Sequence, residues 1–162
     1  MAYDAFLKLD GVTGESQKAN HTGEIDLMSF SWGSSNSSSV GTGTGVSVGK
    51  VSVSDFSIMK STDSSSPVLF QKCCDGSVIG TATVTLQRQV GSSATAYLVY
   101  TFTNVYVTSV QWSGSGGAGD APMESVSFTF ETGTVDYTPL NDDGSGGSAV
   151  HGGWDVGQNV KA

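Results

Sequence analysis

The segment from Gly45 to Gly49 matches the G-x-S-x-G motif of serine hydrolases, with Ser47 in the place of the nucleophile. In those enzymes the motif holds the serine on a strained turn between a strand and a helix. Here the residues that follow, 51–58, alternate as a strand does, and His151 in a glycine-rich tail is the only histidine downstream. A serine without a nearby base is no catalyst. The match therefore indicates chance in a Gly/Ser-rich segment, and we do not expect an enzyme.

Lys50 follows a series of glycines, which invites comparison with a phosphate-binding loop. The spacing of that loop requires a glycine at position 44 and a hydroxyl at position 51, where this chain has Thr44 and Val51. The dinucleotide fingerprint fails as well, because Val46 and Val48 stand where its last glycine belongs. We expect no nucleotide cofactor.

The two histidines, His21 and His151, are isolated, with no further histidine or cysteine at metal-ligand spacing. Glu24 and Asp26 would share one face of a strand, but nothing around them indicates the cleft that an acid/base pair needs. We therefore expect neither a metal site nor a catalytic pair, and no cofactor of any kind.

The overall composition narrows the class of protein. The chain has 162 residues, a length that predicts one domain over residues 1–162, and serine and threonine make up about a quarter of it. With 7 Lys+Arg against 15 Asp+Glu, and a net charge of −8, it has no basic stripe for nucleic acid or an anionic membrane surface. No apolar run is long enough for membrane insertion, and Asp4 and Asp10 stand where a signal peptide would be basic and then apolar. We expect a protein that folds in the cytoplasm.

The elements that would position these residues are mostly strands, because apolar and polar residues alternate in several runs. We predict strands at 3–9, 24–32, 50–59, 79–90, 95–112 and 123–138, and a short one through Trp154 and Val156. In the second run Met28, Phe30 and Trp32 fall on one face, while Ser29 and Ser31 share the other with Ile25 and Leu27.

The run at 95–112 is apolar on both faces, and a strand of that kind needs cover on both. The protein's own core supplies one cover, and the chain is too short to supply the other. We therefore predict that one face contacts a partner subunit. The candidate residues of that face are Tyr97, Val99, Val105 and Val107.

A single helix is predicted at about 64–75, where Pro67 fits the first turn and Gly76 follows as a stop. Cys73 and Cys74 fall inside it, and adjacent cysteines can be bridged only with strain. We interpret both as reduced and structural.

The ordered blocks of the chain resemble the Hcp (haemolysin-coregulated protein) family, which forms the inner tube of the bacterial type VI secretion system. The resemblance is carried by DAFLKLDGVTGES at 4–16 with His21, EIDLMSFSWG at 24–33, GKVSVSDFSIMKSTDSSSP at 49–67 and GWDVGQNVKA at 153–162. It covers nearly the entire chain.

The resemblance implies a β-barrel of two packed antiparallel sheets with one helix, assembling into a hexameric ring. Rings would stack into a hollow tube, inside a contractile sheath and on a baseplate with a spike protein, and leave the cell carrying effector proteins. Such export needs no signal peptide. A tail-tube subunit of a phage or phage-derived contractile particle remains the alternative.

Residue roles follow from the same resemblance. Ser29 and Ser31 are candidates for the lumen wall and for cargo contact. The glycine-rich loop after Trp32 corresponds to the family's extended loop, which reaches a neighbouring subunit or ring. Its candidate contact residues are Gly41, Gly43, Gly45 and Val46.

Overall fold

The computed structural model of the protein describes residues 3–41, 45–117 and 121–162. Its elements are fourteen strands and one helix within those ranges. The strands are β1 (Asp4–Leu9), β2 (Ile25–Leu27), β3 (Ser29–Ser31), β4 (Ser34–Asn36), β5 (Ser39–Gly41), β6 (Gly45–Ser47), β7 (Val51–Val53), β8 (Phe56–Ser61), β9 (Ile79–Val90), β10 (Ser93–Ser113), β11 (Met123–Thr129), β12 (Thr132–Tyr137), β13 (Val150–Asp155) and β14 (Val160–Lys161). The helix, α1, spans Ser66–Asp75.

Two antiparallel sheets share the long strand β10. The first sheet has the order β2-β1-β9-β10-β12-β13-β14. The second has the order β10-β11-β8-β3. The N-terminal half of β10 belongs to the first sheet and its C-terminal half to the second, so the two sheets are joined by continuous chain.

The core lies between the two sheets and is built from the inward residues of both. Phe56, Phe102 and Val126 are nearly or fully buried at its centre. Trp32 packs edge-on against Tyr100, Phe102 and Phe130, with ring centroids 5.1 to 5.7 Å apart. Edge-to-face geometry at these separations adds to the burial energy of the rings.

The alternation of β10 reverses at Asn104, and this reversal explains its two apolar faces. Phe102 points into the core before Asn104, and Val105 and Val107 point into it afterwards. Asn104 has φ 50°, a left-handed conformation that inserts an extra residue into the alternation. The prediction that Val105 and Val107 contact a partner subunit is therefore wrong, because both side chains lie in the core of their own chain.

A second reversal divides the predicted strand 24–32 into β2 and β3. The chain turns from the first sheet to the second at Met28, whose amide donates to the carbonyl of Met59 over 2.8 Å. Ile25 on one side of this corner and Phe30 on the other both pack against the core. The prediction that Ile25 shares a face with Ser29 and Ser31 is wrong for this reason.

The predicted β-barrel is not closed. The first sheet ends at β2 and β14 and the second ends at β3, and no ladder within the described ranges joins these edges. A strand as long as β10 passes directly from one sheet to the other, so two packed sheets form without a complete circuit of hydrogen bonds. The mainly β architecture with one helix is confirmed.

The glycine-rich loop predicted after Trp32, together with the first residues of the strand predicted at 50–59, forms an arm of two short ladders. β4 pairs with β7, and β5 pairs with β6. Gly43 lies outside the described residues. We call residues 34–53 the arm.

The helix α1 begins two residues later than predicted. The carboxylate of Asp63 accepts a hydrogen bond from the amide of Ser65 over 3.0 Å, while the Ser65 side chain makes no cap bond. Gly76 ends the helix in a left-handed conformation at φ 71°, as predicted. In the ranges that the structure covers, no helix has the length and apolar character to cross a membrane.

Candidate functional site

The outward side of the second sheet is a surface of small hydroxyl side chains, which we call the serine face. It consists of three registered rows, two that run across all four strands and one that runs across β8, β11 and β10. The rows are Ser31-Ser57-Ser127-Ser109, Ser29-Met59-Ser125-Gln111 and Ser61-Met123-Ser113.

The alternation of inward and outward side chains along each strand determines which residues belong to the serine face. Phe30, Ile58 and Val126 point into the core, and the residues on either side of each therefore point out. Ser29 and Ser31, the two predicted lumen residues, are both exposed on this side. The structure thus brings the two residues together with six further serines.

Those six serines were not singled out as site residues from the sequence. The signal for two of them was present, since Ser125 and Ser127 alternate with Val126 and Phe128. Their placement beside Ser31 depends on the pairing of β3, β8 and β11, which alternation within one strand does not specify.

The chemistry of the serine face is neutral hydrogen bonding. Each hydroxyl both donates and accepts, and the Ser57 and Ser127 hydroxyl oxygens lie 3.0 Å apart. No outward position of the three rows carries a charged or titratable side chain. The face can therefore solvate a passing molecule without attracting or repelling its charge.

A buried ion pair lies directly beneath the serine face. The Lys60 ammonium, fully buried, donates to Glu124 Oε2 over 3.0 Å and to the Ser66 hydroxyl over 3.0 Å. It also lies 3.0 Å from Asp63. Since Ser66 is the first residue of α1 and Asp63 lies in the turn just before it, this pair fastens the start of the helix to the second sheet.

The pair was missed in the sequence, although a signal for it exists. Lys60 and Glu124 both stand at positions where alternation requires an apolar residue, after Phe56 and Ile58 in one strand and before Val126 in the other. Two opposite charges at core positions of different strands indicate a buried pair, since neither would be buried alone.

The remaining predicted interface residues lie on the first sheet. Val99 is half-buried on its outward side, level with Thr85 and Asp136. Tyr97 sits at a register shift of β10, with the Arg88 guanidinium 4.7 Å from its ring centre. Burial raises the pKa of Tyr97 above its ordinary value of 10.0.

The arm carries the predicted loop contacts. Gly41 and Gly45 face each other at the end of the β5-β6 ladder, and Gly45 takes φ 92°, which favours glycine. Val40 and Val46 are paired across that ladder and are 83% and 64% exposed. The two valines therefore form a small exposed apolar spot near the end of the arm.

The histidines lie on the first sheet, away from the serine face. The His21 ring stacks on Phe6 at 4.3 Å and lies 3.0 Å from both Glu24 and Gln87. This contact covers Phe6, as expected of a structural histidine.

His151 lies 2.7 Å from Asp136. Donation of a hydrogen bond from its imidazole to the Asp136 carboxylate raises the pKa of His151 above 6.5, with a further contribution from the Ala162 carbonyl.

The fold does not bring the residues of the hydrolase motif, or any group of metal ligands among the described residues, into a catalytic or metal site. Ser47 lies in β6 and is followed by β7 rather than by a helix, so the hydrolase motif lacks its turn. In the described part of the chain no three histidine, cysteine or acidic side chains come together as metal ligands. Cys73 and Cys74 are both free thiols on α1.

Comparison with known proteins gives a consistent result. The family model for the type VI secretion system effector Hcp matches residues 6–137. Protein hcp1 of Pseudomonas aeruginosa is 40% identical over 163 residues, which covers 100% of both chains.

Solved structures agree with this match. A type six secretion system protein superposes with a TM-score of 0.93 at 32% identity, covering 99% of this chain and 100% of the other. Hcp1 from Salmonella typhimurium superposes with a TM-score of 0.77 at 31% identity, covering 100% of both chains. The chain therefore belongs to the Hcp family of type VI secretion system proteins.

Proposed function

We propose that six copies of this chain, each folded as one domain over residues 1–162, form a ring whose lumen is lined by the serine face. Rings stack into a hollow tube, and contraction of the sheath expels the tube with effector proteins inside. The observation that carries the proposal is the serine face itself, a neutral hydroxyl surface on a chain of net charge −8.

A lumen wall has two physical requirements that this face meets. It must stay hydrated, and serine hydroxyls exchange hydrogen bonds with water at little net cost, since a typical bond contributes only about 0.5–1.5 kcal/mol. It must also release its cargo, and a wall without charges offers no strong attraction to a charged protein. Ser29 and Ser31 are the residues we assign first to cargo contact.

The arm is the element we assign to contact between copies. A two-stranded ribbon is marginal by itself in water, and the Val40 and Val46 side chains are mostly exposed. A neighbouring subunit or ring would supply both the cover and the support. Gly41 and Gly45 allow its backbone to approach closely, and Tyr97 and Val99 remain candidates on the first sheet.

Further partners follow from membership of the family. We propose that the tube of this protein assembles on a spike protein and baseplate, within a contractile sheath, starting in the cytoplasm and ending outside the cell. The alternative of a phage tail tube loses its support, because the matching family is that of type VI secretion.

Negative-stain microscopy with light scattering tests the ring, and we expect six-fold rings. A species that stays monomeric at all concentrations would overturn the proposal.

The lumen assignment is tested with Ser31→Phe, which should leave the ring intact and reduce retention of a co-expressed effector encoded beside this protein. The matched control is Ser148→Phe, at an exposed loop position outside the serine face. If Ser31→Phe prevents ring assembly instead, the assignment of this face is wrong.

A further inference from the structure

Methionine is concentrated on the serine face. The sequence has four methionines, and the three in the described part of the chain, Met28, Met59 and Met123, all lie at this surface. Met28 and Met59 are 59% and 39% exposed, while Met123 is half-buried. Methionine is mostly a core residue, so three at one surface is an unusual placement.

The three side chains form one end of the serine face. Met59 is flanked across the strands by Ser29 and Ser125, and Met123 is paired with Ser61. The Ser61 hydroxyl lies 3.8 Å from the sulfur of Met28, which joins the corner residue to the same end. We call Met28, Met59 and Met123 the methionine patch.

The patch has the properties of an adaptable apolar surface. A methionine side chain is unbranched and polarisable, and it adjusts to apolar groups of different shape. The surrounding serines keep the patch small and wetted at its rim.

Charge decides which partner fits the patch. Lys60 and Glu124, which follow Met59 and Met123 in the chain, point away from it and pair with each other in the core. Asp55 lies beyond the opposite end of the face, where its carboxylate accepts from Thr108 over 2.9 Å. A charged side chain placed on the patch would lose water and gain no oppositely charged partner from the outward positions of the three rows, whereas an uncharged apolar one has no charge to desolvate.

We propose that the methionine patch binds uncharged apolar segments of cargo proteins, the leucine- and phenylalanine-bearing stretches that carry no lysine, arginine or carboxylate. Its place in the lumen rests on the proposed function. The patch supplies an apolar contact within a wall that is otherwise neutral and polar.

The experiment uses the full chain with ¹³C-methyl-labelled methionine, so that each patch methyl gives its own NMR signal. The probe is a capped neutral peptide of alternating serine, leucine and phenylalanine. Two matched peptides have glutamate or lysine in place of each leucine. We expect the three patch methyls to shift in a saturable manner with the neutral peptide, and binding of both charged peptides to be at least about tenfold weaker.

Variants separate the patch from other surfaces. Replacement of all three methionines by serine should weaken binding of the neutral peptide about tenfold or more, whereas replacement by leucine should preserve it. Met59→Ser alone, at a position that faces solvent, gives a smaller loss in a chain whose fold is preserved. Val150→Ser, at a 65% exposed position on the first sheet, is the control and should change nothing.

The outcomes are decisive in both directions. The inference is overturned if the neutral peptide leaves the patch methyls unshifted, if the charged peptides bind equally well, or if the serine variants bind as the parent does. Microscopy of the same samples separates this inference from the proposed function. Rings without peptide binding refute the patch alone, and peptide binding without rings refutes the tube.

Discussion

At the scale of single residues, the least expected feature is a fully buried lysine in a small β protein. Lys60 is tolerated because Glu124, Asp63 and Ser66 surround its ammonium with oxygen atoms at 3.0 Å. A buried charge that loses its partner keeps its desolvation penalty. The energetic importance of the pair therefore appears when one member is removed.

Lys60→Met tests this directly, because it leaves Glu124 buried without its cation. We expect the free energy of unfolding to fall by about 3–5 kcal/mol, measured by chemical denaturation of the chain. The control is Lys18→Met, which breaks an exposed pair with Asp4 at 3.6 Å and should cost at most about 1 kcal/mol. Equal losses in the two variants would show that Lys60 is not paired as described.

His151 gives a prediction of pH dependence at the end of the chain. Because Asp136 and the Ala162 carbonyl raise its pKa above 6.5, the protonated form is favoured in the folded state. The resulting stability is fully present below pH 6.5 and is lost as pH rises through the higher folded value. NMR titration of the imidazole should show the raised pKa, and Asp136→Asn should lower it. A pKa that Asp136→Asn leaves unchanged contradicts the assignment.

At the scale of elements, β10 decides the architecture. Its halves belong to different sheets, and the left-handed Asn104 lets both halves turn their apolar side to the same core. Without that residue Val105 would point to solvent, because alternation would continue from Phe102 unchanged. Because of this one backbone conformation, Val105 and Val107 are buried in the core of their own chain and need no partner subunit to cover them.

Substitution at Asn104 tests its conformational role. A β-branched residue is strained at φ 50°, so Asn104→Val should lower the free energy of unfolding by about 1–2 kcal/mol. Asn104→Gly also loses the exposed hydrogen bond to Glu131 but adopts the conformation freely, and it should stay within about 0.5 kcal/mol of the parent. Thermal and denaturant unfolding of the two variants measures the difference, and equal stability would contradict the argument.

The elements that were predicted correctly from the sequence are those that depend on residues close together in the chain. Alternation predicts β9 with the observed bounds 79–90, and Pro67 and Gly76 mark the helix. Alternation does not predict the positions at which the inward-facing residues of a strand change between odd and even numbers. The reversals at Met28 and Asn104 come from pairing with two different sheets, a long-range property, and they account for the misassigned faces of Ile25, Val105 and Val107.

The same distinction applies to the candidate site. Ser29 and Ser31 followed from a resemblance together with one strand's alternation. Their row across β8, β11 and β10 required the register of three ladders, and so did the meeting of Met59 with Ser29 and Ser125. Residues distant in sequence form this surface, and nothing local to any one of them specifies it.

At the scale of the whole molecule, net charge governs how rings would meet. Each copy has a net charge of −8, so six copies together would have a net charge of −48. The serine face and the arm contribute almost none of this charge, since Lys50 is the only charged residue in the sequence of the arm. In the proposed ring the repelling carboxylates would therefore lie on other surfaces. At physiological ionic strength charges are screened beyond about 8 Å, so only the nearest carboxylates of stacked rings interact strongly.

Stacking should consequently depend on salt in a defined direction. We expect rings to associate weakly at low ionic strength and to form longer tubes as salt is raised, because screening reduces repulsion while the apolar contacts of Val40 and Val46 are unaffected or strengthened. Light scattering and microscopy across a salt series measure tube length. Val46→Ser should shorten tubes at every salt concentration while the slope with salt stays the same, since it removes apolar contact and no charge. Long tubes at low salt that gain nothing from added salt would contradict the argument, and would indicate that ion pairs hold the rings together.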